Sequence, residues 1–155
     1  MADILKCMDK IMQGVYLIGS KWGDTCNFMT AAFVTQISFN PCSLAISLDN
    51  SRFSTELIKK EGYFSVAVLA INQELEAKSC GYQSGRTVAK AKRIKHHLGD
   101  HGLPLVDDAT ANLLCQVKQT IAYEDHTIFI AEILSGEYSD KKALFYDAEE
   151  FFPSK

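Results

Sequence analysis

No charged residue occurs between Asp24 and Asp49. The stretch has the length of a membrane span but not its texture. Asn27, Thr30, Thr35, Gln36, Ser38 and Asn40 recur through it and Pro41 interrupts it, whereas a spanning helix is more uniformly apolar. The N-terminal MADILKCMDKIMQG lacks the apolar core of a secretion signal, because Asp3, Lys6, Asp9 and Lys10 punctuate it. Surplus positive charge is also missing. The formal net charge is −3, which argues against nucleic acid as the main partner, since neutralising phosphates needs clustered Lys and Arg. Paired cysteines are absent too. Cys7, Cys26, Cys42, Cys80 and Cys115 fall at no metal-knuckle or redox-pair spacing, and an odd number of thiols fits a reduced state. His96, His97 and His101 have no carboxylate or cysteine at a recognised ligand spacing, so no metal is expected. Asp107 and Asp108 are adjacent and would face oppositely in a strand, so they do not read as a catalytic carboxylate pair. No repeat, low-complexity tract or linker divides the chain. Its 155 residues read as one cytoplasmic domain, 1–155, with no membrane contact.

What is present is mostly strand. GVYLIGS (14–20) reads as a strand and KWGD as a turn. From Phe33 the uncharged stretch alternates, with Phe33, Thr35, Ile37 and Phe39 on one face and Val34, Gln36, Ser38 and Asn40 on the other. Asn40-Pro41 turns the chain into a second alternating strand around Leu44, Ile46 and Leu48. SRFSTELIKKEG carries helix signals: Ser54 or Thr55 as cap, Glu56 in the first turn, Lys59 and Lys60 in the last, and Gly62 as stop. YFSVAVLA (63–70) is a buried strand, and NQELEAKSCG a short helix ended by Gly81. Thr87 can cap a further helix with Val88, Ala91, Ile94 and Leu98 at helical spacing, closed by Gly99. Strands are expected at 112–123, 126–138 and, at the end, 143–146. Ile4, Leu5, Met8, Ile11 and Met12 form the stripe of a helix facing the core or a dimer partner. Strands that follow one another without intervening helices point to a mainly β fold: an antiparallel sheet closed into a barrel, with helices packed outside.

The uncharged strand pair presents faces of small and polar side chains where an open barrel exterior would carry Lys, Glu and Arg. A hydrogen-bonding, uncharged cover explains this: a planar heteroaromatic ligand, another subunit, or the helices. SRFST sets Arg52 beside hydroxyls at a helix start. SGRT sets Arg86 beside Ser84, Gly85 and Thr87. Each group reads as an anion site or as ordinary capping; together with the neutral strands they point to a phosphorylated planar cofactor.

NFMTAAFVTQISFNP, NSRFSTELIKKEGYFSVAVL, CGYQSGRTVAK and EDHTIFIAEIL, in that order from about Gly14 to Tyr146, resemble the flavin reductase-like family with the FMN-binding split barrel. The resemblance implies a homodimeric antiparallel split β-barrel that binds FMN and is reduced by NADH or NADPH. By the same resemblance Thr30, Ala31, Ala32, Val34, Thr35 and Gln36 line the isoalloxazine, and Asn27 is a further cofactor-binding residue. Asn50, Ser51, Arg52 and Ser54 reach the ribityl chain and phosphate, Ser84, Gly85, Arg86 and Lys90 add phosphate contacts, and His126 stands near the flavin as the side chain that assists catalysis. The chain departs from the family at Phe33, where Trp is common, and at Ala89-Lys90-Ala91, where Asp-Lys-Phe is common. The implied activity is a flavin reductase, with FMN either released to a partner monooxygenase or held while electrons pass to ferric iron or a redox partner protein. The alternative is a non-catalytic FMN-binding electron-transfer protein reduced by a partner and not by nicotinamide. No acid–base triad is visible, and hydride transfer needs none.

Overall fold

The computed structural model describes residues 2–81, Gly85 and 90–151. After the N-terminal helix α1 (Ala2–Met8), four strands follow in succession: β1 (Tyr16–Trp22), β2 (Thr25–Ala31), β3 (Val34–Phe39) and β4 (Cys42–Asp49). Helix α2 (Phe53–Glu61) leads to β5 (Tyr63–Val68) and helix α3 (Glu74–Gly81). A short hairpin, β6 (His96–Leu98) with β7 (Pro104–Val106), precedes the long strands β8 (Ala111–Tyr123) and β9 (His126–Tyr138) and the last turn, α4 (Ala148–Phe151). The main sheet has seven strands in the order β2-β1-β5-β8-β9-β4-β3, and every neighbouring pair is antiparallel.

Its two edge strands, β2 and β3, are consecutive in sequence and separated only by Ala32 and Phe33. Three Cα–Cα steps of ~3.8 Å cannot span an open sheet, so the sheet rolls until its edges meet at that corner. No ladder between β2 and β3 is found among the described residues, so the seam stays split. The rolled sheet is a mainly β, antiparallel split barrel.

The barrel buries both faces of its first strands. In β1, Ile18 packs inside with Phe64, Cys115 and Phe129, while its neighbour Leu17 packs outward with Phe28, Leu69 and Cys80 beneath α3. Successive strand residues point to opposite sides, and here both sides are covered. Helix α2 stops at Gly62, whose φ of 77° is the left-handed conformation glycine adopts without strain, with its N–H bonded to the Ile58 carbonyl.

Four expectations are corrected. The uncharged run contains an extra strand, β2, paired with β1 through the two-residue turn Gly23-Asp24, so Lys21 and Trp22 belong to a strand. The helix expected up to Leu98 is a single 3₁₀ turn at Lys90–Arg93 followed by β6. Ala91 and Ile94 are buried as its stripe required, but Leu98 is 63% exposed, and backbone pairing with β7 wins over helical spacing. The segment 143–146 forms only isolated bridges, Ala70 to Ala143 and Gly14 to Phe145. The stripe of α1 does not face the core: Ile4, Leu5, Met8, Ile11 and Met12 are all more than half exposed. Asp107 and Asp108 do diverge, the first to His97 and the second to Lys141.

Candidate functional site

The corner where β2 passes into β3 forms one side of a pocket of about 420 Å³. Thr30, Ala31, Ala32 and Phe33 supply that side, and Ser47, Leu48 and Asp49 at the end of β4 continue it. Arg52 at the start of α2 and His126 at the start of β9 also line it. Ala77, Lys78 and Gly81 of α3 close another side. Leu5, Met8 and Ile11 from α1 and the following turn, with Tyr146 and Phe151, provide an apolar roof.

The polar groups are held by a local network. The Thr30 hydroxyl donates to the Ala77 carbonyl and ties β2 to α3. Asp49 accepts from both the amide and the hydroxyl of Ser51, each at 2.7 Å, and these bonds hold its carboxyl below the usual carboxylate range. Arg52 is the N-cap residue of α2, with an extended backbone and no side-chain cap, and its guanidinium donates to the Cys80 carbonyl at 3.4 Å. Neither Ser54 nor Thr55 caps this helix. Both lie inside the first turn, where Thr55 donates to the Asp49 carbonyl and buried Ser54 accepts from the Asn27 amide at 2.8 Å. His126 pairs with Asp49 in the β4–β9 ladder, its Nδ1 lies 2.8 Å from the Asp125 carboxylate, and its ring is 5.8 Å from that of Phe33. A ring that donates from Nδ1 to that carboxylate turns Nε2 away from it.

Of the residues singled out from sequence, Thr30, Ala31, Ala32, Arg52 and His126 converge on the pocket. Asn27 and Ser54 form the buried link behind it, and Gly85 packs against the Asn27 amide so closely that a side chain there would collide with it. Asn50 serves the β8–β9 turn: its amide donates to the Glu124 carbonyl and its oxygen accepts from Thr127. Ser51 is bound to Asp49. Val34 follows on the edge strand, half-buried, while Thr35 and Gln36 are exposed, with side chains that bond to carbonyls of the same strand. Ser84, Arg86 and the side chain of Lys90 lie outside the described residues. Sequence reasoning missed the whole roof, together with Asp49 and Lys78. The apolar stripe of α1 was visible as a pattern, but nothing local linked it to Tyr146 and Phe151. Among the described residues no three His, Cys, Asp or Glu side chains are grouped to hold a metal ion, and no helix is long and apolar enough to cross a membrane.

A rolled antiparallel barrel with a pocket at its open seam is the split-barrel fold, shared with an FMN-binding protein from Thermus thermophilus at 22% identity with a TM-score of 0.83, covering 90% of this chain and 84% of that one. The family model described as flavin reductase like domain matches residues 8–155, and the chain belongs to that family. A high molecular weight rubredoxin of Moorella thermoacetica is 33% identical over 140 residues, covering 85% of this chain and 61% of the relative, so the chain spans less than two thirds of that protein. A ferric-chelate reductase (NAD(P)H) of Archaeoglobus fulgidus is 26% identical over 140 residues, covering 88% of this chain and 83% of the relative. The NADH:FAD oxidoreductase of Streptomyces globisporus, also solved with NAD and FAD fragments, superimposes with a TM-score of 0.88 at 22% identity, covering 94% of this chain and 88% of that one. At that identity the likeness speaks for the fold.

Proposed function

We propose that this chain is a flavin reductase that binds FMN in the seam pocket, accepts hydride from NADH or NADPH and passes the electrons on. The observation that carries the reading is the convergence of Arg52, at the N-terminus of α2, with the neutral wall Thr30–Ala32 on one pocket of about 420 Å³. That volume suits a drug-sized ligand. A guanidinium at the positive end of a helix suits a phosphate monoester, and the uncharged strand suits a ring whose rim both donates and accepts hydrogen bonds.

On this reading Arg52 binds the phosphate, helped by Ser51, Ser54 and the loop residues Ser84, Gly85, Arg86 and Lys90. Thr30, Ala31 and Ala32 hold the ring edge, with Asn27, Val34, Thr35, Gln36 and Asn50 shaping the strand and the turn around it. FMN when bound supplies acceptance of a hydride at N5 from the nicotinamide C4 and its onward release as electrons. Nε2 of His126 orients the nicotinamide or the ring edge, and the apolar roof excludes water. Exposed Phe33, Ile37 and Phe39 around the edge strand support a homodimer. Five free thiols accord with a cytoplasmic setting.

Anaerobic addition of NADH or NADPH to the FMN-loaded protein tests the reading. Rapid bleaching of the bound flavin is expected. A yellow protein that bleaches with neither nucleotide, but does so with a reduced partner protein, would establish the electron-transfer alternative instead. The name of the Moorella thermoacetica relative keeps that alternative in view.

A further inference from the structure

Among the described residues, the backbone bonds that fasten the N-terminal helix to the fold lie beyond its own end. The Gln13 carbonyl accepts from the Tyr146 amide at 2.8 Å, Gly14 bridges Phe145, and the Val15 amide donates to the Leu144 carbonyl. Every residue from 3 to 12 is exposed. Three of them nonetheless line the pocket: Leu5, Met8 and Ile11, which are 74%, 56% and 53% exposed. Their spacing of three residues sets them on one side of the helix and the turn that extends it.

A seven-residue helix does not hold together in water by itself, and most helical stability in proteins comes from burying an apolar face. This face is aimed at a cavity and as it stands buries little. The wall Thr30 to Ala32 is neutral and polar in part, suited to the rim of a planar ligand. The three side chains of the N-terminal segment are aliphatic and thioether, suited to the ligand's flat face, and a thioether packs well on an aromatic ring. A second copy of the chain is the weaker occupant, because these three side chains border the chain's own pocket.

We infer that α1 is a ligand-dependent lid: Leu5, Met8 and Ile11 close onto the ring face of the planar molecule in the pocket, and α1 becomes ordered as they do. The inference rests on the flavin reading and adds to it how the flavin is retained. The lid sets the residence time of FMN, and it must lift for the flavin to leave.

Hydrogen exchange of segment 2–12 in the full chain, with and without FMN at a concentration shown to saturate by titration of the same sample, tests this directly. Exchange near the unprotected rate is expected without FMN, and slowing of about tenfold or more with it. A Leu5→Ser/Met8→Ser variant should release FMN on the order of ten times faster, with its thermal midpoint unchanged because both side chains are exposed in the free protein. Protection of α1 already present without FMN would assign the helix to a contact between copies and overturn the lid. An unprotected α1 in saturated protein, or an unaltered release rate in the variant, would overturn it as well. Failure of the titration itself would instead reject the flavin reading on which the lid depends.

Discussion

Replacing Arg52 by Ala tests the phosphate end of the site. Arg52 lines the pocket, and among the described residues its guanidinium makes one long bond, 3.4 Å to the Cys80 carbonyl. The turn around it is held by other groups, the Ser51–Asp49 bonds and the Thr55 hydroxyl on the Asp49 carbonyl, so the fold should lose little. A hydrogen bond to a charged group contributes roughly 1.5–3 kcal/mol, which corresponds to a roughly 10- to 150-fold rise in the FMN dissociation constant. The assay is quenching of flavin fluorescence, run with FMN and with riboflavin, which has the ring and ribityl chain but no phosphate. Arg52→Ala should weaken FMN by that factor and leave riboflavin nearly unchanged. Arg52→Lys should fall between, keeping charge but losing the planar fork. Equal losses for the two ligands would mean that Arg52 shapes the pocket and does not bind phosphate. No loss for either would place the phosphate elsewhere.

Three further outcomes follow from the geometry. His126→Ala should retain FMN yet slow its reduction by NADH or NADPH, read as an unaltered flavin titration with a reduced stopped-flow bleaching rate; an unchanged rate would remove His126 from the mechanism. His97 bridges two carboxylates, Nδ1 to Asp107 at 2.6 Å and Nε2 to Glu137 at 3.2 Å, an arrangement that only the imidazolium fully satisfies, and the Asp107 bond raises its pKa above 6.5. A raised folded value means its stabilisation is complete below the unfolded value and is lost as pH rises through the folded one, so urea midpoints should fall across that window in the native chain and much less in His97→Gln. Thiol titration of the native protein should count exposed Cys7 and Cys42 quickly and find Cys80 and Cys115 only on unfolding, since burial pushes the Cys115 thiol up to about 12.

How much of this could be read from sequence depended on whether the controlling contacts were local. Strands β8 and β9 and helix α2 were legible because alternation, a turn and a terminal glycine sit within the segments themselves. Strand β2 was not, because Phe28 and Met29 are buried in different cores and Asn27 is buried with them, leaving no contrast between faces to reveal a period of two. The segment around β6 was misread because Ala91 and Ile94 do occupy the core, while the pairing of His96–Leu98 with Pro104–Val106 is a tertiary choice. The polar wall and Arg52 were visible as a charge-free run beside a helix start. The roof was not, since it joins α1 to Tyr146 and Phe151 across most of the chain.

The most direct measurement is a calorimetric titration of the purified chain with FMN. The account predicts saturable binding at one site per chain, weakened in Arg52→Ala. Absence of any binding heat or flavin spectral change at millimolar FMN would contradict it.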